Sequence, residues 1–214
     1  MTPPTVAAAI LELLGKHGVT RAFGIPGVHN LPFWDVDDPD APPLLGVRHE
    51  QAAVYAADGR ARATGEPGLA LLTSGPGAAN ALGAFGEAHA CGSPVLVVAS
   101  DVAAALRHPD GPRGILHEMT DQAAMFAAFG APATTVGTDA AAVLQTAVAL
   151  RDAVSPPSGP AYVGVPTDVL GAPWDRPLPV SPPPAPHLPA AADLETLADL
   201  VAGAARVVLW AGGG

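Results

Sequence analysis

The 214-residue chain carries 10 Lys and Arg against 20 Asp and Glu, a formal charge of −10, which excludes the basic face that a nucleic-acid partner requires. A hydrophobic share of 49% excludes wholesale disorder; a charged share of 14%, below the ~25% of an average soluble domain, suggests surface covered by a partner or simply a composition biased to Ala, Gly and Pro. The single Cys91 excludes an internal disulfide, and no apolar run approaches the ~20 residues of a membrane span, so a cytoplasmic protein without a membrane partner is expected.

Met1-Thr2-Pro3-Pro4 has neither a basic nor an apolar leader, and no signal peptide is expected. Residues 6–17 follow as an apolar helix pattern with Glu12 and Lys16 at i, i+4, closed by Gly18. A short strand at 21–25 ends in Pro26-Gly27, and another short apolar run spans 44–47. An Ala-rich helix at 50–63 is terminated by Gly65 and Pro67. A buried strand at 69–73 breaks at Ser74-Gly75-Pro76-Gly77, and a small-residue helix is predicted over 78–90. Then come a strand at 94–99, a loop through Gly111 to Gly114, a helix at 120–129, a strand at 133–136, a helix at 138–154 and a strand at 161–165. Continuous apolar strands alternating with helices predict an α/β fold, a doubly wound, mostly parallel sheet with helices on both faces. Such sheets bind ligands at the carboxyl ends of their strands, where the turns at Gly24 to Gly27 and Gly75 to Gly77 fall.

Prolines 173, 177, 179, 182, 183, 184, 186 and 189 then mark an extended connector. Beyond it, 192–204 is a helix pattern and 206–210 a strand leading to Gly212-Gly213-Gly214. The expected domains are therefore 1–170, a linker at 171–190, and the truncated start of a second α/β domain at 191–214.

Several chemical templates fail. Gly75-Pro76-Gly77-Ala78-Ala79-Asn80 approaches a dinucleotide loop but has Asn80 for the third glycine, and Pro76 has no amide to donate. His49-Glu50-Gln51-Ala52-Ala53 lacks the second histidine of a zinc pair. Ser74 lacks the leading glycine of a nucleophile elbow, since Leu72 stands there. Cys91 is read as packed against a strand, Asp101 as a polar group at a strand end, and His89, His108 and His187 as partnerless.

Three motifs remain in register: Phe23-Gly24-Ile25-Pro26-Gly27; Val47-Arg48-His49-Glu50-Gln51-Ala52-Ala53 with Ala57-Asp58-Gly59; and Leu72-Thr73-Ser74-Gly75-Pro76-Gly77-Ala78-Ala79-Asn80. Together they resemble the pyrimidine-binding domain of the thiamine diphosphate enzymes of the acetolactate synthase, benzoylformate decarboxylase and pyruvate oxidase group, over about residues 5–170, with Pro166-Thr167-Asp168-Val169 similar to that domain's closing stretch. The resemblance implies that Glu50 hydrogen-bonds N1′ of the aminopyrimidine, favouring the 4′-imino tautomer that removes the thiazolium C2 proton. Such a carboxyl must share a proton, which calls for an apolar setting consistent with Ala52, Ala53 and Val54. Taken alone, Glu50 reads better as an ordinary solvated first-turn glutamate favoured by the helix dipole, and only the flanking motifs turn the reading toward the cofactor.

By the same resemblance Pro26, Gly27, Thr73, Gly75, Gly77 and Asn80 approach the cofactor, although a tight strand–helix turn needs glycines in any case. Val28 stands where pyruvate decarboxylases have an acid and benzoylformate decarboxylases a serine, so it leaves the substrate side without that polar handle. His29 faces the substrate or is an ordinary loop histidine. His117, in Leu116-His117-Glu118 where acetolactate synthases carry Phe-Gln-Glu, either shuttles a proton or begins a surface helix. Gly27-Val28-His29 with Gly114-Ile115-Leu116-His117-Glu118 most resembles the guanidino-oxopentanoate decarboxylase branch.

The implied activity is decarboxylation or carboligation of a small 2-oxo acid. The implied Mg²⁺ is expected to be held, with the diphosphate, by a Gly-Asp-Gly stretch in a further domain; Asp58-Gly59 and Asp110-Gly111 lack its context, so no metal ligand is assigned here. That domain would come from the rest of the chain or another subunit of a homo-oligomer, the chain alone being inactive. Small residues around Ala56, Gly59, Ala81 and Gly86 suit packing at such an interface, or within one core. Two other readings stand beside this one: a nucleotide-binding α/β module resting on Gly75 to Asn80, and a non-catalytic remnant of such an enzyme.

Overall fold

The computed structural model describes residues 4–108, 110–111, 113–180 and 188–210. Thr5 opens α1 (Val6–Lys16) by accepting from the Ala8 amide at 3.2 Å, satisfying one of the orphan donors of a helix start. The order continues β1 (Ala22–Gly24), α2 (Leu31–Trp34), β2 (Leu44–Gly46), α3 (Glu50–Thr64), β3 (Gly68–Leu72), α4 (Pro76–Ala79), α5 (Leu82–Ala90) and β4 (Val95–Asp101). After a 3₁₀ turn at Ala104–Leu106 come α6 (Gln122–Ala127), β5 (Ala133–Thr135), α7 (Asp139–Val154), β6 (Ala161–Pro166), α8 (Thr167–Leu170) and α9 (Ala191–Gly203).

All five strand pairings are parallel, in the order β2-β1-β3-β4-β6-β5. Side chains alternate across a strand, so a continuous apolar run serves two faces at once. Leu69, Leu71, Leu96, Val98, Val163 and Val165 pack with α1 and α7 on one face. Ala70, Leu72, Val95, Val97, Ala99 and Tyr162 pack with α3, α5 and α6 on the other. The predicted two-sided α/β sheet is thus the one that forms. Its parallel order brings the carboxyl ends of all six strands to one edge. The chain leaves β1 for the outer strand β2 and returns inside it to β3, so the connections after β1 and β3 diverge and open a crevice.

Some local expectations change. The helix expected over 78–90 is two: the chain tightens where the Ala81 amide bonds the Ala78 carbonyl, and a new helix follows. The helix near residue 120 begins only at Gln122, because Asp121 caps it by accepting from the Ala124 amide at 3.0 Å. The strand expected over 206–210 does not form, since those residues meet no ladder among the described residues. Helix α9 is exposed throughout. Part of the Pro-rich connector, 181–187, lies outside the described residues. The small-residue set does not make one surface: Ala81 is fully buried and Gly86 lies under Phe129, while Gly59 is exposed. No helix among the described residues is long and apolar enough to cross a membrane.

Candidate active site

Helix α3 delivers Glu50 to the strand edge. Its N-cap is His49, whose ring Nδ1 accepts from the Gln51 amide at 3.2 Å, leaving the Glu50 side chain in the first turn. Ala53 and Val54, one turn further along the same face, are fully buried, so Glu50 sits half-buried at the end of an apolar stripe. The expected apolar setting is therefore partial, because Ala52 points to solvent. Asn80 reaches back from α4, its Nδ2 donating to Glu50 Oε2 at 3.1 Å.

The turn between β3 and α4 is built for close approach. Gly75 holds φ at +59°, a region L side chains avoid. A Cβ there would stand 2.5 Å from the His117 carbonyl oxygen. A Cβ on Gly77 would fall within 3.0 Å of Thr73 Cγ2 and 3.3 Å from Glu50 Oε1. From the β1 side, a Cβ on Gly27 would lie 2.6 Å from Thr73 Oγ1. Thr73 is thus the meeting point of the two turns, and Glu50 looks onto a surface of bare backbone. Such a surface fits the edge of a flat heteroaromatic ring, with a carboxylate to bond a ring nitrogen.

Two residues that the sequence reading passed over fix these turns. Asn30, fully buried, accepts from the Gly27 amide at 2.7 Å and donates to the Ile25 carbonyl at 3.0 Å. Gln122 is 1% exposed; its Oε1 accepts from the Gly75 amide at 2.5 Å, and its Nε2 donates to the Ser100 carbonyl at 3.0 Å and the Tyr162 hydroxyl at 2.6 Å. That one amide ties the turn after β3 and the end of β4 to the Tyr162 side chain of β6. A polar residue beside a cap, as Gln122 is beside Asp121, gives no such signal in one dimension.

The two histidines expected on the substrate side, His29 and His117, also converge. The rings of His29 and His117 meet edge to face, centroids 6.0 Å apart at 87°. His117 is not at a helix start: it occupies a turn with φ +64°, unusual for a non-glycine residue and typical of functional loops. His29 Nδ1 pairs with Oγ of fully buried Ser74 at 2.5 Å. Burial holds His29 below its ordinary protonation range, His117 adding to this and Asp101 opposing it. Asp101, fully buried at the end of β4, is pushed above the usual carboxylate range by burial, against the opposing pull of its ion-pair partner Arg107.

Pro26 and Val28 take no part in these contacts; both are exposed, Val28 at 73%, because Asn30 turns the loop's other side inward. Cys91 is exposed at the end of α5, its Sγ 3.6 Å from Glu87 Oε1, rather than packed against a strand. His89 is exposed and His108 pairs with Asp110 at 3.3 Å, while His187 lies outside the described residues. Among the described residues no group of three or more His, Cys, Asp or Glu is disposed to hold a metal ion. A cavity of ≈ 590 Å³ between α1 and residues 174–180 includes none of the residues gathered around Glu50.

Residues 4–125 match the thiamine pyrophosphate enzyme, N-terminal TPP binding domain. The chain is 36% identical, over 98% of its length, to the protein assigned as 2-ketoarginine decarboxylase AruI of Pseudomonas aeruginosa, of which it covers 38%. It is 34% identical, over 77% of its length, to an acetolactate synthase of Bacillus subtilis, of which it covers 28%. Among solved structures, a chain from Mycobacterium smegmatis assigned as a thiamin diphosphate-dependent enzyme superposes with a TM-score of 0.85 at 26% identity, over 94% of this chain and 38% of that one. The chain therefore spans well under half the length of these relatives.

Proposed function

Because the chain belongs to the thiamine pyrophosphate enzymes, as their N-terminal TPP-binding domain, we propose that the β1–β3 crevice holds the aminopyrimidine of thiamine diphosphate in an enzyme that decarboxylates or ligates 2-oxo acids. The observation that carries this is Glu50 set against the glycine-lined turn at 73–80. Asn80 engages Oε2, so Oε1, beside Gly77, is the oxygen free to share a proton with the pyrimidine N1′. Thr73, Gly75 and Gly77 support the ring's edge through backbone, and Gly27 brings the β1 turn against the same place, with exposed Pro26 beside it on the cofactor side. When bound, the cofactor supplies a carbon nucleophile for the 2-oxo carbonyl and takes up the electron pair released with CO₂. Its diphosphate and Mg²⁺ fall to a domain outside residues 1–214, contributed by the same chain or by another copy in a homo-oligomer, in a reducing, cytoplasmic setting.

His29 and His117 belong to the substrate side, where they hold and return the proton that replaces CO₂. For the substrate, the similarity to a 2-ketoarginine decarboxylase favours a 2-oxo acid ending in a guanidinium group, and Val28 is the apolar residue of the loop that would border it. The test is Glu50→Gln in the enzyme complete with its diphosphate-binding domain. Exchange of the thiazolium C2 proton in D₂O should slow by ~10²–10⁴, the usual contribution of a positioned acid–base group. Exchange at the native rate overturns the assignment.

A further inference from the structure

Ser74 remained without a role in the sequence, where it failed as a nucleophile. The structure explains that failure and gives it another task. Its side chain is fully buried, closed off from any substrate carbonyl, and its Oγ lies 2.5 Å from His29 Nδ1. The two residues are 45 positions apart and come from the turns after β3 and β1. Ser74 itself stands on a fixed platform: its carbonyl accepts from the Gly77 amide at 3.2 Å, and the next amide, of Gly75, is held by buried Gln122. A histidine in water exchanges between two neutral tautomers, and the partner at one ring nitrogen decides which nitrogen carries the proton.

We infer that Ser74 is a positioning residue for proton transfer: its hydroxyl donates to Nδ1 of His29, which puts the ring's own proton on Nε2, the nitrogen offered to His117 and to the substrate. This rests on the 2-oxo acid reading for its chemistry, though not for its geometry. As CO₂ leaves, the substrate carbon keeps an electron pair; a C–H bond forms there as an N–H bond of the imidazole pair breaks, and water restores the proton. No oxidant or reductant enters. The edge-to-face arrangement with His117, itself held at φ +64° against the bare Cα of Gly75, keeps the two rings in one orientation. An imidazole that hopped between tautomers would offer a donor in only part of the population, a loss felt in turnover rather than in binding.

The experiment uses the enzyme complete with its diphosphate-binding domain, labelled with ¹⁵N at histidine and free of cofactor. Native His29 should show a single tautomer in long-range ¹H–¹⁵N spectra, and Ser74→Ala should shift it toward the mixture seen in free imidazole. A tautomer mixture in the native protein, which no folding defect of a variant can produce, overturns the proposal, as does an unchanged ring in Ser74→Ala. In turnover, Ser74→Ala should lower kcat by ~10-fold with KM and cofactor affinity held within about 2-fold, a fraction of the ~10²–10⁴ that a positioned acid contributes. Added to His29→Ala, it should lower kcat no further; an equal second loss shows that Ser74 acts on the turn instead, and overturns it. Should the thiamine reading fail, decarboxylation is absent altogether while the cofactor-free tautomer result still stands or falls alone.

Discussion

Replacing Gln122 with leucine tests the inner support of the site. The side chain is almost isosteric and the residue is 1% exposed, so packing changes little and the loss is polar. The Gly75 amide and the Tyr162 hydroxyl lose their bonds to it inside the protein, whereas the Ser100 carbonyl belongs to the β4 ladder. Each buried group left without a partner costs about 1–3 kcal/mol, so the substitution should cost roughly 2–6 kcal/mol. Against a total stability of ~5–15 kcal/mol that is a large fraction. At ~2–4 °C per kcal/mol for a chain of this size, a central loss of about 4 kcal/mol lowers Tm by roughly 8–16 °C in calorimetry. Tyr162→Phe keeps the ring stacked on Phe126, centroids 4.0 Å apart, and keeps the Gln122–Ser100 bond, so it should cost only about 1 kcal/mol. The decisive measurement is the double variant. With no hydroxyl to strand, Gln122→Leu with Tyr162→Phe should be more stable than Gln122→Leu alone by about 1–2 kcal/mol. Simple addition of the two losses, or a Gln122→Leu cost below about 1 kcal/mol, refutes the picture of one amide joining the turn after β3 to β4 and β6.

Gly77→Ala places a methyl within 3.0 Å of Thr73 Cγ2 and beside Glu50 Oε1. The turn must yield by about an ångström, a misplacement that costs on the order of 100-fold at a reacting centre. Calorimetric titration of thiamine diphosphate into the complete enzyme should show affinity at least ~10-fold weaker, and native affinity would remove this turn from the site. A pH dependence follows from His29. Its folded state binds protons less readily than the unfolded chain, so stability is full above the ordinary value of 6.5 and falls as pH drops below it. The urea midpoint should therefore fall between about pH 7 and 5, and His29→Gln should flatten part of that slope; an identical slope in the variant contradicts the burial of this ring.

How much of this was legible beforehand divides along sequence distance. The sheet was readable because a parallel strand buried on both faces must be apolar at every position, as Gly68–Leu72 and Val95–Asp101 largely are. Glu50 and the glycines at 75 and 77 were readable because each lies in a short run whose residue types have a local reason: a first-turn carboxylate, a backbone needing positive φ, a turn that admits no Cβ. What the chain alone left open were contacts between segments that only the sheet order makes neighbours. His29 and Ser74 are 45 residues apart, and Gln122 and Gly75 are 47 apart. Neither pair has a spacing that any helix or strand period would favour. Likewise the exposure of Cys91 and Val28, the break between α4 and α5, and the idle segment 206–210 depend on what each part packs against. The covalent sequence determined most of the elements, and gave local reasons for a carboxylate at Glu50 and glycines at Gly75 and Gly77, since propensity and turn stereochemistry are local. The tertiary structure decided which polar groups meet in the buried crevice, since a hydrogen bond there is set by the meeting of strand ends that lie far apart along the chain.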